Sequence, residues 1–108
     1  MGMSEPGISM SQASGSVLLT HSAGLHARPS VKLTKLAKSF GADVEIGANP
    51  DGPWIDAKSI VKVMGARVPQ GSQLHLRAQG HDAAAAITAL IGLVERDFDE
   101  APADAASD

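Results

Sequence analysis

Leu74-His75-Leu76-Arg77-Ala78 places an apolar side chain at every second position, and Asp43-Val44-Glu45-Ile46-Gly47 does the same. Period-two alternation marks a strand with one buried and one wet face. Such strands suit an antiparallel sheet covered on one side only, because strands buried on both faces read as unbroken apolar runs. The segments between them change period. Over 27–39, Pro29, Leu33, Leu36, Ala37 and Phe40 recur at helical spacing, Lys32, Lys35 and Lys38 lie off that stripe, and Gly41 is a stop signal. Val17-Leu18-Leu19-Thr20 predicts a first strand over 15–20.

Asn49-Pro50-Asp51-Gly52-Pro53 is a turn leading to a short return strand, Trp54-Ile55-Asp56, so 43–56 is read as a hairpin. Ser59 to Met64 predicts a short helix that stops at Gly65, and Pro69-Gln70-Gly71-Ser72 predicts a turn. A last helix is expected over 82–97, with Asp82 favouring its N-terminus and Ala86, Leu90, Leu93 or Val94, and Phe98 as its buried stripe. The order is βαββαβα, an α+β arrangement. The domain is expected over 15–98. A Ser- and Gly-rich extension, 1–14, is expected to be disordered, and 99–108 is expected to be a loose acidic tail.

The 108 residues allow one domain with a modest core. The absence of cysteine excludes disulfides and thiolate metal sites and suits a reducing cytoplasm. No apolar run approaches the ~18 residues of a membrane span, and the N-terminus lacks signal-peptide order. A net charge of −3 with two Phe and one Trp argues against nucleic-acid binding. Charge is segregated, however. Seven of the nine basic residues lie between Arg28 and Arg67, and six of the twelve acids lie between Glu95 and Asp108. A solvated surface accounts for both clusters, and so does a basic face that meets an acidic partner.

Gly24-Leu25-His26-Ala27-Arg28-Pro29 lies at the start of the first expected helix. A helix N-terminus carries unpaired N–H groups and a partial positive charge, so it favours an anion. Histidine titrates near neutrality, which makes a neutral, nucleophilic imidazole available there. Pro29 falls in the first turn, where a missing N–H is harmless, although it disfavours helical angles at Arg28. Ser59 begins a second helix, where serine is a preferred cap.

Two segments carry a resemblance. Gly24-Leu25-His26-Ala27-Arg28-Pro29 is similar to the active-site signature of the HPr family, the histidine phosphocarriers of the bacterial phosphoenolpyruvate-dependent phosphotransferase system. Asp56-Ala57-Lys58-Ser59-Ile60 is similar to that family's regulatory serine segment. The resemblance spans about residues 15–98. It implies an open-faced β-sandwich, a four-stranded antiparallel sheet with three helices on one face. It implies His26 as phosphoryl acceptor through Nδ1, Arg28 as the answering cation, and the N–H groups of Ala27 and Arg28 as phosphoryl-binding backbone. Ser59 becomes a site for a regulatory serine kinase and phosphorylase. Ile60 and Met64, ringed by Lys58, Lys62 and Arg67, become a docking patch, although a core position suits either residue.

The implied partners are Enzyme I and an Enzyme IIA-type acceptor, in sugar uptake and its regulation. A cytoplasmic monomer is expected, with no cofactor, no metal, no nucleic acid and no membrane insertion. The alternatives are the nitrogen-related regulatory branch, and a regulatory binding module that carries no phosphate. Ala23 departs from the family, which often places Asn or Ser there, so any orienting role passes to Ser22 or to backbone. A metal site joining His21 to His26 is not expected, since no acid lies near them in sequence. His75 is expected to face solvent, His81 to begin a helix, and Trp54 to pack over the sheet edge.

Overall fold

The computed structural model describes residues 11–99. Strand β1 (Gln12–Leu18) is followed by α1 (Ala27–Lys38), β2 (Asp43–Gly47), β3 (Ile55–Asp56), α2 (Ile60–Ala66), β4 (Gln73–Gln79) and α3 (Ala83–Glu95), with a closing 3-10 turn at Asp97–Asp99. The strands form one antiparallel sheet in the order β1-β4-β2-β3. The alternation read in the sequence is realised. Leu74, Leu76 and Ala78 of β4 and Val44 and Ile46 of β2 are buried, while His75 and Arg77 turn to the other face. Helices α1 and α3 close the inner face with Leu33, Ala37, Ala86, Leu90, Leu93 and Val94. Each fully buried leucine contributes about 1.5–3 kcal/mol. Gly15 lets α3 approach β1 closely, since a Cβ there would lie 2.7 Å from Ile91 Cδ1. The outer face stays polar. There Arg77 bonds Glu45 at 2.8 Å, and its guanidinium lies 4.1 Å from the centre of the Trp54 ring. No helix among the described residues is long and apolar enough to cross a membrane.

Several boundaries differ from the sequence reading. Strand β1 begins at Gln12, inside the segment expected to be an extension, because Gln12, Ala13 and Ser14 pair with Gln79, Ala78 and Arg77. Residues 1–10 and 100–108, which carry most of the two expected loose ends, lie outside the described residues. Helix α2 does not stop at Gly65. It runs to Ala66, and Arg67 makes the left-handed exit at φ 52°, which delivers the chain to buried Val68. Helix α3 ends at Glu95, and Phe98 reaches the core from the 3-10 turn instead of from the helix.

Asp82 occupies the cap position of α3, but its side chain makes no cap hydrogen bond. Its carboxylate accepts from the N–H groups of Gly41 and Ala42, at 2.9 and 2.8 Å, and so clamps the entry to β2. These bonds, Gly41's first, together with the charge of His81, hold the carboxyl below its ordinary 3.8. A lowered folded-state value means that unfolding takes up a proton in acid. The clamp is therefore at full strength above pH 3.8 and weakens as pH falls through the lowered value. Asp82→Asn is expected to lower the urea midpoint at neutral pH, and the gap from wild type should close on acidification below 3.8. A gap that does not change with pH would show that the clamp is not electrostatic.

Candidate functional site

The loop from Leu19 to His26 is held by the loop that precedes β4. Leu19 N donates to Ser72 O at 2.9 Å, Gly71 N to Leu19 O at 2.7 Å, and Leu25 N to Val68 O at 2.8 Å. The Gln70 side chain adds a bond to Thr20 O at 2.9 Å. Within the loop, Gly24 N donates to His21 O, and Ala23 N donates to His21 Nδ1 at 3.0 Å. Ala23 thus works through its backbone. Gly24 sits at φ +64°, and a Cβ there would stand 2.5 Å from Val68 O. Its left-handed angle and the closeness of the second loop both require glycine. Leu25 is fully buried and anchors the chain where the next residue turns outward.

His26 is that next residue. It is exposed, extended at φ −139° and ψ 156°, and is the N-cap of α1, with no side-chain cap bond. Its ring is therefore not committed to the helix it begins. Ala27 follows at φ +46°, a left-handed angle at a non-glycine residue. Strain of this kind costs about 1–3 kcal/mol and concentrates at functional sites. Sequence rules place the backbone tension at Arg28, through Pro29, and no signal in the chain marks Ala27. The first turn of α1 holds no acid of its own, and the positive end of the helix dipole lies there. Arg28 is exposed, and Pro29 and Ser30 are buried. An imidazole and a guanidinium thus stand two residues apart at the start of α1. A surface depression of about 900 Å³ lies elsewhere, on the outer sheet face between Asp43, Glu45, Asp56 and Arg77.

The second segment is not beside the first. Ser59 caps α2, its hydroxyl accepting from Lys62 N at 3.3 Å. Lys58 Nζ donates to Phe40 O at 2.8 Å, which puts the start of α2 at the end of α1. The far end of α2 leads to Val68, whose carbonyl meets Leu25. The two helices pack side by side, and these links at their two ends make them run oppositely. His26 and Ser59 are therefore separated by roughly the length of α1, about 18 Å at 1.5 Å per residue.

On the face between them Ile60 and Met64 are half-buried, Lys58 is half-buried, and Lys62 and Arg67 are exposed. The most exposed apolar side chains there are Val61, at 77%, and Val31, at 51%. The sequence reading passes over Val31, although it lies off the stripe of Pro29, Leu33 and Ala37. His21 packs edge-on to Phe98, with ring centres 5.7 Å apart. No group of three or more His, Cys, Asp or Glu among the described residues is placed to hold a metal.

Fold and site together define a small open-faced sandwich that presents an exposed imidazole at a helix N-cap. The family model described as the PTS HPr component phosphorylation site matches residues 13–96. The phosphocarrier protein HPr of Pseudomonas aeruginosa is 34% identical over 84 residues, covering 78% of this chain and 92% of that protein. The HPr of Cupriavidus necator is 43% identical over 77 residues, covering 71% and 84%. The phosphocarrier protein NPr of Escherichia coli K12 is 33% identical over 84 residues, covering 78% and 92%. Among solved structures, HPr from Thermoanaerobacter tengcongensis superposes with a TM-score of 0.76 at 32% identity, covering 83% of this chain and 99% of that one. The chain belongs to the HPr family of phosphocarrier proteins.

Gly24→Ala is expected to cost at least about 2 kcal/mol, from the left-handed angle and the contact with Val68 O. Denaturant unfolding measures it. An unchanged midpoint would mean that the two loops part without cost.

Proposed function

We propose that His26 accepts a phosphoryl group from Enzyme I and passes it to an Enzyme IIA-type acceptor, in sugar uptake and its regulation. The observation that carries this reading is the exposed His26 ring at the N-cap of a helix whose first turn has no acid. The Nδ1 lone pair attacks the phosphorus of the donor's phosphohistidine. The donor's N–P bond breaks as the new one forms, and the donor imidazole leaves with its electron pair. The N–H groups of Ala27 and Arg28 and the Arg28 guanidinium answer the charge of the travelling group. Helix-end charge effects of about 0.3–1 kcal/mol suit a carrier that must release what it accepts. Partners dock on the face shared by α1 and α2, where Val31, Val61, Ile60 and Met64 lie among Lys58, Lys62 and Arg67.

Ser59 is the site of a regulatory serine kinase in this reading. It stands about a helix length from His26, so a phosphate there acts on the docking face and not on the imidazole. Its charge also agrees with the dipole of α2, so the helix persists.

The first test offers the chain labelled phosphoenolpyruvate with either the sugar-branch Enzyme I or its nitrogen-branch counterpart. Acid-labile label from the sugar-branch donor, lost in His26→Ala with the melting midpoint unchanged, is the expected result. Preference for the other donor assigns the regulatory branch, and label that survives the substitution removes His26 from the role. Arg28→Ala should slow transfer about fivefold, the equivalent of ~1 kcal/mol for a helix-end charge. Ser59→Asp should leave stability within about 0.5 kcal/mol, because Ser and Asp cap about equally well. It should also weaken Enzyme I binding, and undiminished binding would take Ser59 out of the docking face.

A further inference from the structure

The loop that presents His26 is pinned at its two ends and shaped in the middle by the side chain of His21. Leu19 and Thr20 on one side, and Leu25 on the other, bond the loop before β4. Between these anchors the chain makes a turn, closed by the bond from Gly24 N to His21 O at 2.9 Å. Inside the turn, Ala23 N donates to His21 Nδ1 at 3.0 Å. The Nδ1 of a histidine stands as many bonds from its Cα as the Oδ1 of an asparagine. Asn and Asp fix turns in this way, by accepting from the N–H two residues on. His21 thus supplies an asparagine-like hold through an imidazole. The bond requires the lone pair on Nδ1, so the ring hydrogen of the neutral form lies on Nε2.

The same ring reaches beyond the turn. It lies edge-on to Phe98, with ring centres 5.7 Å apart, and Phe98 is fully buried. The carbonyl of Phe98 accepts from Lys32 Nζ of α1 at 2.9 Å. His26 stands where the loop meets α1, so His21 ties together the two segments that set its direction. The family match ends at residue 96, and Phe98, one half of this tie, lies beyond it. We infer that His21 is a positioning residue for His26: its Nδ1 holds the turn, and its ring fixes that turn against Phe98 and α1. This inference rests on the proposed function for the reaction that His26 performs. His21 acts through the backbone from Ala23 to Leu25 and takes no phosphoryl group itself.

The test compares the full chain with its His21→Ala and His21→Asn variants at about pH 8, where histidine side chains are ordinarily neutral. His21→Ala removes the acceptor, and His21→Asn restores it without the ring. With Enzyme I as donor, His21→Ala is expected to lower kcat about fivefold at an unchanged KM. One hydrogen bond has a modest net worth, and the docking face on α1 and α2 is untouched. His21→Asn should recover at least about half of the lost rate, since it keeps the hold on Ala23 N. Full rate in His21→Ala overturns the inference, and so does an Asn variant as slow as the Ala one. A rise in KM that follows a fall in the melting midpoint in both variants makes His21 a structural residue and overturns its positioning role. An arm without Enzyme I reads the backbone directly. Residual dipolar couplings of the amides from Ala23 to Ala27 should change in His21→Ala and return toward wild type in His21→Asn. Unchanged couplings overturn the hold. Couplings that change in a chain that Enzyme I does not phosphorylate support the hold on His26 and overturn the donor assignment instead.

Discussion

The site depends on one close crossing of backbone. At Gly24 and Leu25 the loop after β1 passes over Val68, with Leu25 N bonded to Val68 O and no room for a Cβ at Gly24. Leu25 is buried beneath the crossing, so the next residue must face outward, and that residue is His26. The same crossing sets the helix start, because His26 is extended while Ala27 already turns into α1. The exposure of the imidazole thus follows from a buried neighbour and a backbone contact, without any hydrogen bond from the ring to its own helix.

The antiparallel packing of α1 and α2 sets the two sequence motifs at opposite ends of the helix pair. They are joined through the packed helices, not by contact. His26 stands at one end and Ser59 at the other, and Val31 and Val61 are the most exposed apolar side chains of the two helices. In the proposed function, a partner that covers the helix pair meets both ends, and charge on Ser59 acts on docking and not on the imidazole.

Charge is segregated along the chain. Basic residues concentrate on α1 and around α2, and acids follow α3. The sheet keeps its own polar side, with Arg77 held between Glu45 and Trp54, away from the helices. That pair is about half exposed and contributes on the order of 0–1 kcal/mol, so it orders the outer face more than it stabilises the fold. The root of the acidic segment is different, since Phe98 belongs to the core and its carbonyl to Lys32.

The strand alternation, the helical stripe of α1, the hairpin turn and the serine cap were legible in the chain because each is a local pattern. Period, turn residues and capping chemistry act within a few positions. The positions of His26, Arg28 and Ser59 at helix starts were legible for the same reason, since their neighbours announce those starts. What depended on distant partners was not. Gln12–Ser14 become strand only because β4 offers them hydrogen bonds. Asp82 stands at the N-terminus of α3 as expected, but its carboxylate serves the N–H groups of Gly41 and Ala42, about forty residues away in sequence. Strain falls on Ala27, Arg67 and the Asp97–Asp99 turn, where packing overrides the preferences of single residues. The sequence by itself determined the elements, their order and which residues stand at the helix starts. Only the tertiary structure decided which backbone is strained, which side chains remain exposed, and that the two motifs lie a helix length apart, because each of these is set by contacts between residues far apart in the chain.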